Sequence, residues 1–238
     1  MARHCNYWWV TRPKRKLNSI PEILSVFASV TLEHQWNGGR ALHIQFEDGL
    51  EDAGLKRKGS RRDGSGSGGR TYAAWLRSLG LIVTEETTGR VFLTLAGEAI
   101  ANGKPPVKIL KKQVLEYQFP SSFSLSVGVD GRFKLKPFRF LLRLLMDSRI
   151  GFLSEDEVGK IVITEAETDK DFEKIVSRIL QYRAEGDKCL PDDFFSKYLG
   201  EYPNLCNPYG KVKDIANTLF NWLEYTQLTA RDEGKILV

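Results

Sequence analysis

Residues Lys56–Leu93 read KRKGSRRDGSGSGGRTYAAWLRSLGLIVTEETTGRVFL, and three kinds of local physics follow one another within them. From Lys56 to Arg70, six cations and one acid, Asp63, are scattered among glycine and serine, a composition that buries no core and is mobile when free. In Thr71–Leu79, Tyr72, Trp75, Leu76 and Leu79 recur at helical spacing on one face. Arg70, Thr71, Ala74, Arg77 and Ser78 lie towards the other face, and Gly80 supplies the stop. Leu81–Val83 and Val91–Leu93 are short apolar runs either side of a polar turn, Glu85–Arg90, which predicts a hairpin. Loop, helix and hairpin in that order are the parts of a winged-helix DNA reader, whose helix enters the major groove while the hairpin flanks it.

The glycine run reads as slack that lets the neighbouring cations follow phosphates. Gly64–Gly69 also matches GxGxxG, but a dinucleotide site needs a buried strand directly before it, and KRKGSRRD stands there instead. No Gly-Lys pair is followed by Ser or Thr, which excludes a P-loop.

Charge supports a polyanionic partner. Residues 1–143 carry 23 Lys/Arg against 12 Asp/Glu, a surplus of +11, whereas residues 144–238 carry 12 against 18. Such a surface binds duplex DNA with strong salt dependence, because each neutralised phosphate releases counterions. The longest nearly apolar run, Phe138–Met146, is interrupted by Arg139 and Arg143 and is too short for a membrane span. The aromatic, basic N-terminus MARHCNYWWVTRPKR does not resemble a secretory signal, so a cytoplasmic address is expected. Cys5, Cys189 and Cys206 are widely spaced and form no zinc pattern with His4, His34 and His43.

Working outward, Arg3, Arg12, Lys14, Arg15 and Lys16 flank Tyr7, Trp8 and Trp9, which predicts a basic arm anchored by aromatics, at least one Trp being core. Ser19-Ile20-Pro21 predicts a helix start. Further helices are expected over Arg40–Leu55, Thr94–Asn102 and Val107–Tyr117, and Pro105-Pro106 marks a boundary. A short hairpin is expected near Val129–Arg132, and Phe138–Met146 forms the apolar helix of a second core. Ser154-Glu155-Asp156-Glu157 is a capping-box pattern, followed by helices over Asp169–Glu185, Pro191–Leu199 and Lys211–Thr226. The chain then repeats its earlier order: Leu76-Arg-Ser-Leu79-Gly-Leu81, strand, turn, strand is matched by Leu223-Glu-Tyr-Thr226-Gln-Leu228, strand, turn, strand.

The expected fold is therefore mainly α with small β-hairpin wings (α+β), as two winged-helix-like DNA-binding subdomains. Residues 1–104 make the arm and the first subdomain, and residues 105–238 make the second. Arg70, Thr71 and Arg77 are expected to read bases, where an Arg can pair bidentately with guanine. Arg12, Lys14, Arg15 and Lys16, with Lys56, Arg57, Lys58, Arg61 and Arg62, are assigned mainly to phosphates or the minor groove. Lys134, Lys136 and Arg139 extend the positive surface, and Lys211, Lys213, Asn217 and Asn221 are candidates on the later helix, which could equally be internal support.

Several ordered blocks together resemble the N-terminal part of AlwI-type restriction endonucleases, a group that includes nicking enzymes. They are WWVTRPKRKLNSIPEIL, TYAAWLRSLGLIVTEETTGRVFLTLAGEAIANGKPP, LKKQVLEYQFPS and KVKDIANTLFNWLEYTQL. The resemblance implies a type IIS restriction-modification system, prokaryotic, in which this portion recognises a short asymmetric duplex sequence. It further implies that a separate C-terminal PD-(D/E)xK nuclease domain uses Mg²⁺ to cut nearby. On that reading these residues hold no catalytic or metal-binding position and no cofactor, and the chain is a monomer when free. The sole [DE]xK, Glu233-Gly234-Lys235 with Pro191-Asp192, is the one place where a nuclease could reside within the stretch. A dimeric winged-helix transcription regulator is the rival class.

Overall fold

A computed structural model describes residues 4–59, 64–121, 128–129, 131–199 and 209–238. It is mainly helical with small sheets, antiparallel apart from one short parallel pair, an α+β arrangement. Two compact units emerge: Thr11–Gln113, and the residues up to Val10 together with Val114–Val238. The boundary expected at Pro105-Pro106 lies elsewhere, because Pro106 opens a helix and the units divide near that helix's end.

Strand β1 (His4–Cys5) comes first among the described residues. In the unit Thr11–Gln113, helix α1 (Ile20–Thr31) starts where Ser19-Ile20-Pro21 predicts, since a proline costs nothing in a first turn whose N–H groups lack partners. Its Ile20, Ile23, Leu24 and Phe27 are buried. Phe46 of α2 (Arg40–Asp52) meets Phe27 edge-on at 5.0 Å, and Trp36 closes the cluster 5.6 Å from Phe27. A Cβ at Gly49 would stand 2.9 Å from Val26, so this glycine, a weak helix former, is where α1 and α2 come close.

Helix α3 (Ser67–Ser78) begins inside the glycine run rather than at Thr71. The run is therefore a packing surface and not slack. Gly66 adopts the left-handed region (φ 72°), and a Cβ there would stand 2.6 Å from His43 Cβ. Side chains at Gly68 and Gly69 would collide with the Glu47 carboxylate and the His43 carbonyl oxygen of α2. Tyr72, Trp75 and Leu76 face the core, and Gly80 (φ 66°) ends the helix as the Leu81 N–H returns to the Leu76 carbonyl at 3.0 Å.

Strands β2 (Ile82–Thr84) and β3 (Val91–Leu93) pair antiparallel, with Val83 opposite Phe92. An extended segment that periodicity does not reveal joins them: Trp36 N–H donates to Gly89 O at 2.8 Å, and Gln35 pairs with Arg90 beside β3. Thr94 then caps α4 (Leu95–Ala101), its hydroxyl accepting from Gly97 N–H at 3.2 Å, and α5 (Pro106–Glu116) follows.

In the other unit β4 (Gly128–Val129) pairs in parallel with β1 instead of closing the expected hairpin, whose flanks meet at Phe119 and Leu135. Trp8 is fully buried there, donating through its indole to Ala166 O at 2.6 Å and lying edge-on to Phe140. Residues 4–10 thus complete a core, and only Thr11 onward belongs with the other unit. Phe138 of α6 (Pro137–Met146) stacks on Trp222 at 5.5 Å, with Tyr117 edge-on to both.

After β5 (Leu153–Ser154), the capping box forms as predicted: Ser154 Oγ accepts from Glu157 N–H, and Glu157 accepts from Ser154 N–H. It starts α7 (Glu155–Glu157), which passes through a π-helical turn (Val158–Val162) into α8 (Ile163–Glu165). Helices α9 (Phe172–Glu185), α10 (Phe194–Leu199) and α11 (Tyr209–Tyr225) precede strands β6 (Ala230–Asp232) and β7 (Lys235–Leu237), and the sheet order is β5-β7-β6.

The two units share part of an order: each has a core-packed helix leading into a hairpin, with an extended segment beside the hairpin's second strand, but the second unit carries α9 and α10 as well before its core-packed helix. The repeat seen in sequence closes its helix in the same way both times, because Leu228 N–H returns to Leu223 O at 3.0 Å as Leu81 does to Leu76. Gln227 (φ 56°) stands in the left-handed position that Gly80 fills, at a cost of about 1–2 kcal/mol for a residue with a Cβ.

Candidate nucleic-acid interface

Burying Tyr72, Trp75 and Leu76 turns the opposite face of α3 outward, and with it Arg70 and Thr71, both exposed. Arg70 donates to Ser65 O at 2.5 Å and Ser65 Oγ at 3.0 Å, while Arg40 reaches Gly64 O at 2.8 Å, so two guanidiniums hold the approach to the helix. The Thr71 hydroxyl donates to Ser67 O at 2.9 Å. Arg77 is different. It is half-buried and donates to Thr84 Oγ1 at 2.6 Å, and burial pushes its guanidinium pKa down.

The cationic loop also divides. Lys56 is only 12% exposed, 2.6 Å from Glu51 and 3.1 Å from Glu47, so the side chain assigned to phosphate forms an internal pair instead. Burial pulls its pKa down, but the bonds to Glu51 and Glu47 outweigh this and the net direction is up. Arg57 and Lys58 are exposed, Lys58 lying 3.3 Å from Asp52 where both are open to water. Arg61 and Arg62 lie outside the described residues. Ahead of α1, Arg12 and Lys14 are half-buried and Arg15 and Lys16 are exposed on irregular backbone.

In the other unit, Lys136 and Arg139 both pair with Glu116, and Arg139 Nε also donates to Leu115 O at 2.8 Å. Those partners, Lys136 first, hold the Glu116 carboxyl below the usual range. Lys134 is exposed. The Lys211 side chain lies outside the described residues, and Lys213 sits 3.5 Å from Asp156. Asn217 and Asn221 turn inward: Asn217 donates to Glu155 at 2.7 Å, Asn221 donates to Asn217 at 2.8 Å, and Arg231 links Asn221 back to Glu155. Helix α11 is buried on almost every side between Ile215 and Leu223, because it fills the centre of its unit, and its amides serve that internal ring.

Sequence reasoning missed Arg143 and Lys170. Together with Lys134, Lys136 and Arg139 they line a cleft of about 800 Å³. Arg143 interrupts an apolar run, the one signal available, but its position over the Phe172 ring, 4.4 Å from the centroid, needs α9 in place.

Among the described residues no group of three or more His, Cys, Asp or Glu side chains is disposed to hold a metal ion. Glu233 lies in the β6–β7 turn (φ 42°), Lys235 sits 4.6 Å from the Phe152 ring, and Asp192 is exposed ahead of α10. No hydrolytic step is assigned to these residues.

Residues 77–238 match the family model described as AlwI restriction endonuclease. The chain belongs to that restriction endonuclease family, which implies DNA as its partner. The match begins in the last turn of α3, so the block WWVTRPKRKLNSIPEIL lies outside it. No curated protein matches the chain. No helix among the described residues is long and apolar enough to cross a membrane.

Proposed function

We propose that this chain is the sequence-reading part of a type IIS restriction or nicking endonuclease, binding a short asymmetric site in double-stranded DNA. The observation that carries the proposal is the outer face of α3, with Arg70 and Thr71 exposed on a helix that a buried face holds rigid. Helix, hairpin and a third segment beside β3 follow the order of a winged helix, whose corresponding helix occupies the major groove. Arg70 offers the planar fork that suits guanine O6 and N7, and the Thr71 hydroxyl can serve a neighbouring base. Arg15, Lys16, Arg57 and Lys58 take phosphates, which position the helix without reading sequence. The second unit has a hairpin with a third strand beside it too, but in this reading its α11 supports the core and reads nothing.

Hydrolysis is assigned to a separate Mg²⁺-dependent nuclease domain of the full-length enzyme, and the protein acts as a monomer in the prokaryotic cytoplasm. A binding selection from random duplexes, followed by footprinting, tests the reading. One enriched asymmetric sequence with a one-sided footprint is expected. Enrichment of a two-fold sequence bound by two copies would replace the reading with a transcription regulator. Mg²⁺-dependent cleavage by these 238 residues that disappears in Asp192→Ala would place the chemistry here instead.

A further inference from the structure

The cleft on the second unit lies between α6 and the turn Thr168–Lys170, and the backbone ties its two walls together. Lys134 N–H donates to Glu167 O at 2.8 Å, and Lys134 pairs in parallel with Thr168. Lys134, Lys136, Arg139, Arg143 and Lys170 line it against one carboxylate, Asp169. Five like charges repel one another, and counter-charges relieve that repulsion. Glu116 supplies one for Lys136 and Arg139, and Asp169 stands 3.8 Å from Arg143. Lys134 and Lys170 are exposed and make no ion pair with any described residue.

We propose that this cleft holds the sugar–phosphate backbone of duplex DNA, as a sequence-independent clamp. It deepens the DNA-reading proposal by adding a second contact on the other unit. An open groove of about 800 Å³ is far larger than one phosphate ion, and its cations are spread over two walls, which suits successive phosphodiesters of a strand. Arg143 is held in place over Phe172 at 4.4 Å and Arg139 by Leu115 O, so those cations are ordered before the strand arrives. The two lysines complete the contact, each neutralising one phosphate.

The test compares the full chain with Lys134→Ala/Lys170→Ala, and with Lys188→Ala as an exposed control away from the cleft. Duplex affinity is measured against salt, using a selected and a random sequence. Two lost phosphate contacts should flatten the slope of log affinity against log salt by roughly 1.8 units. Between 50 and 200 mM salt the unaltered chain then loses about twelvefold more affinity than the double variant. The loss should be equal on selected and random DNA, and the control should behave as the parent does. Unchanged slopes would overturn the clamp, as would a variant that loses competition by inorganic phosphate but keeps its duplex slope. If the parent binds selected and random duplexes alike, the reading by α3 fails while the slopes still decide the clamp. If it binds no duplex at all, both fall.

Discussion

Arg77 Nη2 donates to Thr84 Oγ1 over 2.6 Å, tying the last turn of α3 to the first strand of the hairpin. The spacing of Arg77 on the helix suggests a base reader, yet as placed it acts as a brace between helix and wing. A charged hydrogen bond of this kind contributes about 1.5–3 kcal/mol, towards the lower end here because the pair is only partly buried. Arg77→Ala and Thr84→Val should each lower the urea midpoint by a similar amount, and the double variant should lose little more than either. If Arg77 reads a base instead, Arg77→Ala will weaken only the selected duplex, by about 1–3 kcal/mol, and Thr84→Val will leave binding alone.

Arg70 and Lys58 should separate reading from holding. Arg70 lies on the open face of α3, whereas the Lys58 side chain is 74% exposed in the loop ahead of it. Arg70→Ala is expected to cost about 1–3 kcal/mol on the selected sequence and to relax discrimination at one base pair. Lys58→Ala should weaken all duplexes alike and flatten the salt slope by roughly one unit. Indistinguishable profiles on selected and random DNA would show that the two roles are wrongly divided.

The glycines at the start of α3 make a steric prediction. Alanine normally stabilises a helical position relative to glycine, by about 1 kcal/mol. At Gly69 that gain is outweighed, because the new Cβ would strike the His43 carbonyl oxygen, a backbone atom that cannot swing aside. Gly69→Ala should therefore destabilise the unit by about 1–3 kcal/mol and impair DNA binding by displacing Arg70 and Thr71. Gly64→Ala, whose Cβ would meet only the Arg40 side chain at 3.6 Å, is the matched control and should melt near the parent. Equal thermal midpoints for the two variants would remove the packing argument.

How much of this the sequence discloses depends on how local the physics is. Helix starts at Ile20, Leu95 and Glu155 follow from a proline or a capping side chain within a few residues, and they lie where expected. The repeated Leu76–Leu81 and Leu223–Leu228 closures are equally local. What stays hidden depends on distant partners. Lys56 looks like any loop cation until α2 brings Glu47 and Glu51 beside it. Asn221 sits at a plausible reading position, but α11 is buried because Phe138 stacks on Trp222 and Arg231 reaches back to Glu155. Gln35 pairs with Arg90 across more than fifty residues, with no alternating pattern to announce it. The cleft under Lys134 needs α6 and the Thr168–Lys170 turn together, so no single motif carries it.

His43 couples this packing to pH. Its ring is 6% exposed, 4.3 Å from the Trp36 ring, and its Nε2 is 2.9 Å from Trp36 O, to which the neutral ring donates. Burial lowers its pKa most; the bond to Trp36 opposes this, and the positive charges of Arg70 and Arg77 add to the lowering. Between that lowered value and the ordinary 6.5, the unfolded chain binds a proton that the folded chain does not. Stability must therefore rise with pH across the window: the contribution is full above about 6.5 and is lost as pH falls towards the folded pKa. Urea midpoints of the chain should fall as pH drops from 7.5 to 5.5, and DNA binding should weaken with them because the His43 backbone packs directly beneath Gly69 of α3. His43→Gln keeps an N–H donor for Trp36 but cannot titrate, so its midpoint should vary less over the same range. An equal acid response in parent and variant would assign the effect to other groups.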